Sequence, residues 1–255
     1  MSKTMVDAKV VCQRVLSEDV KLIEVLAPDI ACIAQPGQFV NVQVSKQAAP
    51  LLRRPFGVAA VNRDKGTFTM IYRIMGEATK ILADICKDDF INIIGPLGHG
   101  FALNAKRPLL VGGGLGLAPL VYLAQGFSKD SVEIVMGGRT AKELFWTELF
   151  SDKVNMMHIT TDDGSQGTKG TVNAVLPQLL KSGKYDCVYV CGPVPMMQAV
   201  AKVVEAAGIP CQVSLEKYMA CGLGACLSCS CGGVGKRLKV CTDGPVFWST
   251  EVEEW

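Results

Sequence analysis

Four cysteines near the C-terminus have a spacing that could bind iron. Cys221, Cys226 and Cys229 follow the pattern C-x4-C-x2-C, and Cys241 comes after eleven further residues. Three neighbouring thiolates with one distant partner are one of the arrangements that hold a [2Fe–2S] cluster. The sequence therefore predicts that these four cysteines ligate such a cluster.

The loop between the first two cysteines supports this interpretation. A cluster loop must curl closely around the inorganic sulfides and donate backbone N–H groups to them. Gly222, Gly224 and Ala225 give the loop room, because glycine adopts positive φ at little cost.

Two other interpretations of the cysteines stay open. Structural zinc usually uses two close cysteine pairs, whereas here the distant partner is single. Buried free thiols are the other possibility. Cys231 would give C-x4-C-x4-C, which breaks the cluster spacing, so we expect it to lie beside the cluster without binding. Five cysteines on apolar runs are predicted to be small core residues: Cys12, Cys32, Cys86, Cys187 and Cys211.

Composition and charge exclude several classes of function. The 255 residues carry 26 basic and 24 acidic side chains, a net charge of +2, so neither nucleic acid nor an anionic membrane is an expected partner. Eleven cysteines, an odd number, without a visible secretory signal speak against a disulfide scaffold and predict a cytoplasmic protein. The only histidines, His99 and His158, form no acid–base constellation, so no catalytic residue is predicted in this chain.

The first hundred residues indicate a series of short strands. Val40, Val42 and Val44 alternate with polar residues, which is the periodicity of a strand. The other predicted strands cover residues 10–15, 21–26, 56–62, 67–74 and 90–94, and the single predicted helix covers 79–85. Six short strands separated by turn signals indicate a small closed antiparallel barrel.

From about residue 107, predicted strands and helices alternate. The strands are 109–111, 132–136, 156–160, 186–190 and 211–214, and the helices are 118–127, 141–150, 172–180 and 195–207. This alternation predicts a doubly wound parallel sheet. The predicted fold is therefore β + α/β in three domains: the barrel (1–103), the parallel-sheet domain (104–215) and a small cysteine-rich domain (216–255).

Two motifs of the barrel region could bind a flavin and its diphosphate. Residues 52–57 open one strand, and residues 72–79 end another strand and begin the predicted helix. A helix N-terminus offers N–H groups to a phosphate, Arg54 could add a charge-assisted bond, and Tyr72 could lie along a flavin ring. The candidate flavin contacts are Arg54, Pro55, Phe56, Gly57, Tyr72, Arg73, Ile74, Gly76, Ala78 and Thr79.

Residues 109–119 combine a strand, a glycine turn and a helix start, where backbone can approach a pyrophosphate closely. Close packing of helix on sheet is the alternative reason for the glycines. The uncharged stretch 108–128 is long enough to span a bilayer, but its glycines and prolines favour strand, turn and helix instead.

Ligands of a parallel sheet gather beyond the carboxyl ends of its strands. An acidic residue there accepts hydrogen bonds from ribose and repels a 2′-phosphate, so Asp162 favours NAD(H) over NADP(H). The candidate nucleotide contacts are Gly113, Gly114, Gly116, Asp162, Cys191, Gly192 and Pro193.

In this order, the motifs resemble the ferredoxin–NADP reductase superfamily. They are Arg54-Pro55, Gly-x-Ala-Thr at 76–79, Gly-Pro-Leu-Gly at 95–98, the glycine turn, and Cys-Gly-Pro at 191–193. The cysteine loop, LLRRP at 51–55, GPLGHGF at 95–101 and DGS at 163–165 narrow this resemblance. Over essentially its whole length, the chain is similar to electron-transfer subunits of dihydroorotate dehydrogenase B.

The resemblance implies that the barrel binds FAD, the sheet binds NAD(H), and the tail binds one [2Fe–2S] cluster. It also implies a separate catalytic subunit with FMN, which oxidises dihydroorotate in pyrimidine biosynthesis, in a heterotetramer of two copies of each subunit. Electrons would pass singly from that FMN through the cluster to FAD, and as a hydride to NAD⁺. The catalytic base would belong to the partner.

Two positions depart from the family pattern. Gly57 stands where a hydroxyl side chain usually faces the flavin, and Ala78 replaces a glycine near the diphosphate. A reductase subunit of a hydrogenase, sulfide dehydrogenase or transhydrogenase is the alternative function. Some of those relatives replace the first cluster cysteine with Asp, so Cys221 favours the dihydroorotate branch. A zinc-binding interaction module is a third interpretation.

Overall fold

The computed structural model describes residues 3–45, 47 and 49–255. The first strands are β1 (Thr4–Val15), β2 (Val20–Leu26), β3 (Phe39–Gln43), β4 (Arg54–Asn62), β5 (Thr67–Arg73) and β6 (Phe90–Leu97). They form a closed barrel in the order β1-β2-β5-β4-β3-β6, which confirms the predicted architecture. Strand β1 begins six residues earlier than predicted, because residues 4–9 pair with β6.

The alternation along β3 sorts its side chains between two cores. Val40 and Val42 are fully buried inside the barrel. Phe39 and Asn41 belong to the outer face, yet they are only 5% and 0% exposed. The C-terminal tail covers this face, since Phe39 packs in one core cluster with Cys229.

Two helices accompany the barrel. Helix α2 (Glu77–Asp84) matches the predicted helix closely, whereas α1 (Pro28–Ala31) was not predicted. The prediction of a single helix was therefore wrong. Helix α1 is only one turn long, with proline at its start, so it has too few residues to show a 3.6-residue period.

The next strands are β7 (Pro108–Gly113), β8 (Glu133–Gly138), β9 (Met156–Thr161), β10 (Thr168–Lys169), β11 (Cys187–Cys191) and β12 (Cys211–Ser214). All are parallel, in the order β10-β9-β8-β7-β11-β12. The strand order reverses between β7 and β11. Ligands bind at such a switch point in doubly wound sheets, and both candidate glycine turns follow these two strands.

Helices α3 (Leu117–Ala124), α4 (Trp146–Phe150), α5 (Leu176–Leu180) and α6 (Val194–Ala206) connect the strands. Two predicted helices, 141–150 and 172–180, are each divided into a 3-10 turn followed by a short α-helix. Pro177 explains the second case, because proline starts a helix readily but does not continue one. No helix in the described ranges is long and apolar enough to cross a membrane.

The tail adds β13 (Ser230–Gly233), β14 (Lys236–Lys239), β15 (Val246–Trp248) and β16 (Val252–Glu254). Strands β14, β13 and β16 form a small sheet of their own. Strand β15 instead pairs antiparallel with β12 and extends the large sheet. The tail is thus joined to the middle region by backbone hydrogen bonds, and the division at residues 103 and 215 stays a prediction.

The prediction of small core cysteines holds for some positions only. Cys187 and Cys211 are each 3% exposed, as expected. The prediction was wrong for Cys32 and Cys86, which are exposed, and Cys12 is half-buried. Cys32 directly follows α1 and Cys86 comes two residues after the end of α2, where the chain runs along the surface.

A polar network lies at the amino ends of the sheet strands, opposite the ligand edge. The Glu133 carboxylate accepts hydrogen bonds from His158 Nε2 (2.9 Å) and the Tyr185 hydroxyl (2.6 Å), and it also pairs with Lys184. Burial opposes ionisation of Glu133, but the three donors outweigh it and lower its pKa to about 2. His158 is therefore a half-buried partner in this network.

We expect Glu133→Gln to destabilise the fold by about 1–3 kcal/mol at pH 7, because its three partners lose an anionic acceptor. The pKa of Glu133 is depressed from 4.5 to about 2 on folding. Its contribution is therefore complete above pH 4.5 and is lost as the pH falls towards 2. Urea unfolding at several pH values measures this, with the exposed Glu148→Gln as control. A stability difference that stays constant from pH 7 to pH 3 would contradict the prediction.

Candidate cofactor sites

A cavity of about 530 Å³ lies where the barrel, the parallel sheet and the tail meet. Its walls come from β4 and β5, from the start of α3, and from residues 214–219, which precede the cysteine loop. Seven of the ten candidate flavin contacts line it: Arg54, Pro55, Phe56, Gly57, Tyr72, Arg73 and Thr79. Its volume is in the range of small-molecule sites. The cavity therefore has the size and lining for a flavin ring.

The two arginines at the start of β4, Arg53 just before it and Arg54 as its first residue, have different roles. Arg53 donates to the carbonyl oxygens of Asn92 (3.1 Å) and Asn41 (3.4 Å), so it ties strands of the barrel together. Arg54 lines the cavity, and its Nη1 donates to the carbonyl of Leu52. Arg54 is thus the member of the pair that is placed to contact an anionic group.

Two backbone N–H groups at the start of α2 are hydrogen-bonded by a side chain of the same helix, that of Thr79. Thr79 Oγ1 accepts hydrogen bonds from the N–H groups of Met75 (2.9 Å) and Gly76 (3.1 Å). These two amides are therefore engaged within the turn. Thr79 shapes the turn that a diphosphate would meet, and Ala78 is buried in the barrel core with 4% exposure.

Tyr72 is 1% exposed, and its hydroxyl donates to Gln13 Oε1 over 2.8 Å. Its ring lies edge-on to Phe56, with centroids 5.8 Å apart. Both residues line the cavity, and both belong to the buried core of the barrel. The hydroxyl has a partner inside the protein, and a contact of the Tyr72 ring with a flavin stays a prediction.

Gly57, which departs from the family pattern, lies close to Pro119 of α3. A Cβ at Gly57 would lie 3.2 Å from Cγ of Pro119. Pro119 in turn stands where a last glycine of a nucleotide fingerprint would be expected. The two unusual residues face each other, and a side chain at position 57 would press closely against the proline ring.

Of the glycines at the switch point, Gly116 allows close packing, whereas Gly114 faces open space. A Cβ on Gly116 would lie 2.4 Å from Cα of Gly192, so the two turns touch backbone to backbone. Gly114 has a φ of +55°, and a Cβ there would meet nothing within 4 Å. Close packing therefore explains Gly116, whereas Gly114 stays the better candidate for a nucleotide contact.

The two aspartates after β9, Asp162 and Asp163, differ in their hydrogen bonding. The Asp163 carboxylate accepts from the Ser165 N–H (2.9 Å) and hydroxyl (2.6 Å), which lowers the pKa of Asp163. Asp162 is exposed, with no side-chain hydrogen bond within the described ranges. The neighbouring Arg139 is paired with Glu143 (Nη2–Oε1 2.6 Å). Asp162 is thus the carboxylate that is available to accept hydrogen bonds from the hydroxyl groups of a ribose.

We expect Asp162→Ala to narrow a preference for NADH over NADPH by about tenfold, the size of one hydrogen bond to a charged group. The ratio of kcat/KM for the two nucleotides, measured with a dye as electron acceptor, tests this. Asp163→Ala is the matched control, because it disturbs the turn only. An unchanged ratio in Asp162→Ala would remove this residue from the nucleotide site.

The four candidate cluster ligands occur in the structure as two pairs. Cys226 interacts with Cys221, and Cys229 Sγ accepts from the N–H of Cys241 over 3.4 Å. A [2Fe–2S] cluster requires two thiolates on each iron. In the described part of the chain, no three His, Cys, Asp or Glu side chains come together as a single-ion site. The donor set and its pairing fit the predicted cluster.

Backbone N–H groups donate hydrogen bonds to cysteine sulfur atoms of the cluster loop, and donation to inorganic sulfides stays a prediction. The N–H of Leu223 donates to Cys221 Sγ over 3.3 Å. Gly222 and Gly224 have φ values of +69° and +88°, which confirms the reason given for glycine at both positions. A Cβ at Gly224 would lie 2.7 Å from Cγ2 of Thr242, so this residue also allows a close approach.

The two pairs differ in their surroundings. Cys226 is exposed, and hydrogen bonds from Ser228 and Cys221 lower its pKa to about 6. Cys241 is buried, and burial together with Cys229 raises its pKa to about 12. Cys226 is exposed and Cys221 is half-buried, so this pair is the more solvent-accessible of the two.

Cys231 lies on β13 opposite Leu238 and is 2% exposed. It packs in the same apolar cluster as Cys229 and Cys241. Its place in a regular strand, outside the loop, agrees with a residue beside the cluster. That it does not ligate iron stays a prediction.

Comparison with known families assigns two parts of the chain. The model of the iron–sulfur cluster binding domain of dihydroorotate dehydrogenase B matches residues 216–253. The model of the oxidoreductase NAD-binding domain matches residues 110–202.

Curated relatives cover nearly the whole chain. The dihydroorotate dehydrogenase B (NAD(+)) electron transfer subunit of Bacillus caldolyticus is 40% identical over 252 residues, 95% of this chain and 96% of that protein. The subunit of the same name from Desulforamulus reducens is 39% identical over 260 residues and 99% of both chains. This chain belongs to the family of dihydroorotate dehydrogenase B electron-transfer subunits. The family predicted from its motifs is thereby confirmed.

Solved structures extend the likeness beyond dihydroorotate dehydrogenase B. An NADH-dependent reduced ferredoxin–NADP oxidoreductase, studied for flavin-based electron bifurcation, has a TM-score of 0.86 and 29% identity over 98% of this chain and 90% of its own. A ferredoxin–NADP⁺ reductase from Neisseria gonorrhoeae has a TM-score of 0.63 over 80% of this chain and 92% of its own. At 16% identity, the second likeness concerns the fold alone.

For this member of the dihydroorotate dehydrogenase B family, the flavin and nucleotide candidates fall into two groups, those that line the cavity and those that do not. Among the nucleotide candidates, Cys191 lines the cavity. The other nucleotide candidates lie outside its lining, as do three flavin candidates: Gly113, Gly114, Gly116, Asp162, Gly192, Pro193, Ile74, Gly76 and Ala78. Sequence reasoning missed the wall formed by residues 214–219. The position of this segment after the carboxyl end of β12 was the signal that could have revealed it.

Proposed function

We propose that this chain carries electrons from a dihydroorotate-oxidising partner subunit to NAD⁺. One observation carries the proposal: the wall of the cavity continues directly into the paired cysteine loop. Residues 214–219 line the cavity, and Cys221 follows two residues later. A flavin in the cavity and a cluster in the loop would therefore be neighbours, as sequential electron transfer requires.

The residues of the chain hold and separate the carriers. Cys221, Cys226, Cys229 and Cys241 would hold a [2Fe–2S] cluster, and the cavity walls would hold the ring of FAD. When bound, the cluster carries single electrons and FAD converts them to the two-electron chemistry of NAD⁺. The protein orients these groups. The open turn at Gly114 and the Asp162 carboxylate would receive the nucleotide.

The partner we propose is a catalytic subunit containing FMN, in a heterotetramer with two copies of each chain. Three large side chains in and before the cysteine loop support a docking face there. Tyr218, Leu223 and Leu227 are 97%, 41% and 61% exposed. Exposed apolar groups gathered at one site are typical of protein–protein contacts.

The test is co-expression with the catalytic subunit encoded by the same host, followed by purification of the complex. We expect a brown-yellow complex that reduces NAD⁺ in the presence of dihydroorotate. The isolated chain should oxidise NADH with a dye but should not act on dihydroorotate. A colourless chain that contains zinc, or a complex without dihydroorotate-dependent NADH formation, would contradict the proposal.

A reductase subunit of another electron-transfer complex is the second candidate. The TM-score of 0.86 to the bifurcating oxidoreductase favours it. The proteins that copurify with the chain from its own host discriminate between the two functions. A flavoprotein that oxidises dihydroorotate supports the first, and a ferredoxin- or NADPH-dependent partner supports the second.

A further inference from the structure

Asn41 connects the wall of the barrel to the cysteine loop. It lies on β3, directly opposite Pro55 of β4, and it is 0% exposed. Its Nδ2 donates a hydrogen bond to the carbonyl oxygen of Cys221 over 3.2 Å. One side chain therefore joins the strand next to the cavity wall to the first candidate cluster ligand.

The loop backbone is shaped to this contact. Gly222 has a φ of +69°, and a Cβ there would lie 2.6 Å from Nδ2 of Asn41. Glycine is required at this position both by the backbone conformation and by the approach of the amide. The loop and Asn41 thus fit each other closely.

Packing alone does not explain an asparagine here. Its Oδ1 is buried, with no hydrogen-bond partner in the part of the chain that the structure describes. An unpaired buried oxygen costs stability, and an apolar side chain of similar size would avoid that cost. The amide is useful at this place only through its donor group, which contacts the cysteine loop.

We propose that Asn41 is a positioning residue that holds the Cys221 end of the cluster loop against the barrel. The inference rests on the proposed function in so far as a cluster is bound. Hydrogen bonds and solvent exposure set the potential of an iron–sulfur cluster. Reduction adds negative charge, which water stabilises, so a loop released from Asn41 should give a higher midpoint potential. Local opening of the loop should also speed the loss of iron.

The experiment compares Asn41→Leu and Asn41→Ser with the wild-type chain loaded with FAD and cluster. Leucine removes the amide at similar size, and serine is too small to clash with Gly222 if leucine impairs folding. Gln43→Ala is the matched control, since Gln43 lies two residues along β3 and contacts Arg53. The measurements are the midpoint potential from an EPR redox titration and the rate of iron release to a chelator.

We expect an upward shift of the potential and about tenfold faster iron release in both Asn41 variants, with wild-type values for Gln43→Ala. Wild-type potential and iron release in both Asn41 variants would overturn the proposal, even if their melting temperatures fall. A wild-type chain that holds neither iron nor sulfide would overturn the proposed function as well, so the two failures are distinguishable.

Discussion

The Cys226→Ser variant is expected to lose its iron–sulfur cluster while it keeps its flavin reactions. In this variant, a serine hydroxyl replaces one of the four candidate thiolate ligands. These ligands form two pairs, Cys221 with Cys226 and Cys229 with Cys241. The cavity walls do not include these side chains, so FAD binding should persist. Iron and acid-labile sulfide should fall to background, whereas NADH oxidation with a dye should continue. Transfer of electrons from dihydroorotate to NAD⁺ in the complex should be abolished.

Cys231→Ser is the matched control for this loss. Cys231 is buried in a strand beside the loop, so its replacement should preserve iron, sulfide and the EPR signal of the reduced cluster. The assignment of ligands is wrong if Cys231→Ser loses the iron and Cys229→Ser retains it.

Gly116→Ala is expected to have the largest effect in the nucleotide region. The new Cβ would lie 2.4 Å from Cα and 2.5 Å from N of Gly192. Both atoms belong to backbone, which cannot move aside as a flexible side chain would. Overpacking costs about 1–3 kcal/mol even among side chains, so we expect at least this loss of unfolding free energy. The KM for NADH should rise because both turns of the switch point are displaced.

Chemical denaturation and NADH–dye kinetics measure the two effects. Gly138→Ala is the control at the same edge of the sheet, because the nearest atoms to its Cβ would be 3.4 Å away. A Gly116→Ala variant as stable as Gly138→Ala would show that the two turns separate easily, contrary to their contact in the structure.

Local sequence patterns predicted the barrel and the parallel sheet well, because each strand carries its own periodicity and turn signals. The same local signals could not predict β15. Its three residues, Val246–Trp248, become a strand only by pairing with β12. The divided helices were missed for a related reason, since a 3-10 turn and a short α-helix share one apolar pattern.

The candidate sites show the same contrast. The cysteine loop is contained in about twenty residues, so its spacing and glycines could be interpreted from the sequence. The cavity wall at residues 214–219 required three separate segments to meet. The mutual fit of Gly57 and Pro119 likewise depends on the approach of α3 to the barrel, and Gly57 alone indicated only a departure from the family pattern.

The antiparallel strand β15 also has a protective consequence. It pairs with β12 and so covers the outer hydrogen-bonding groups of a strand whose four residues are all buried. Truncation after residue 215 would leave those groups unpaired, and an uncovered apolar edge is a template for self-association. We therefore expect the C-terminal tail to protect this edge of the sheet from self-association.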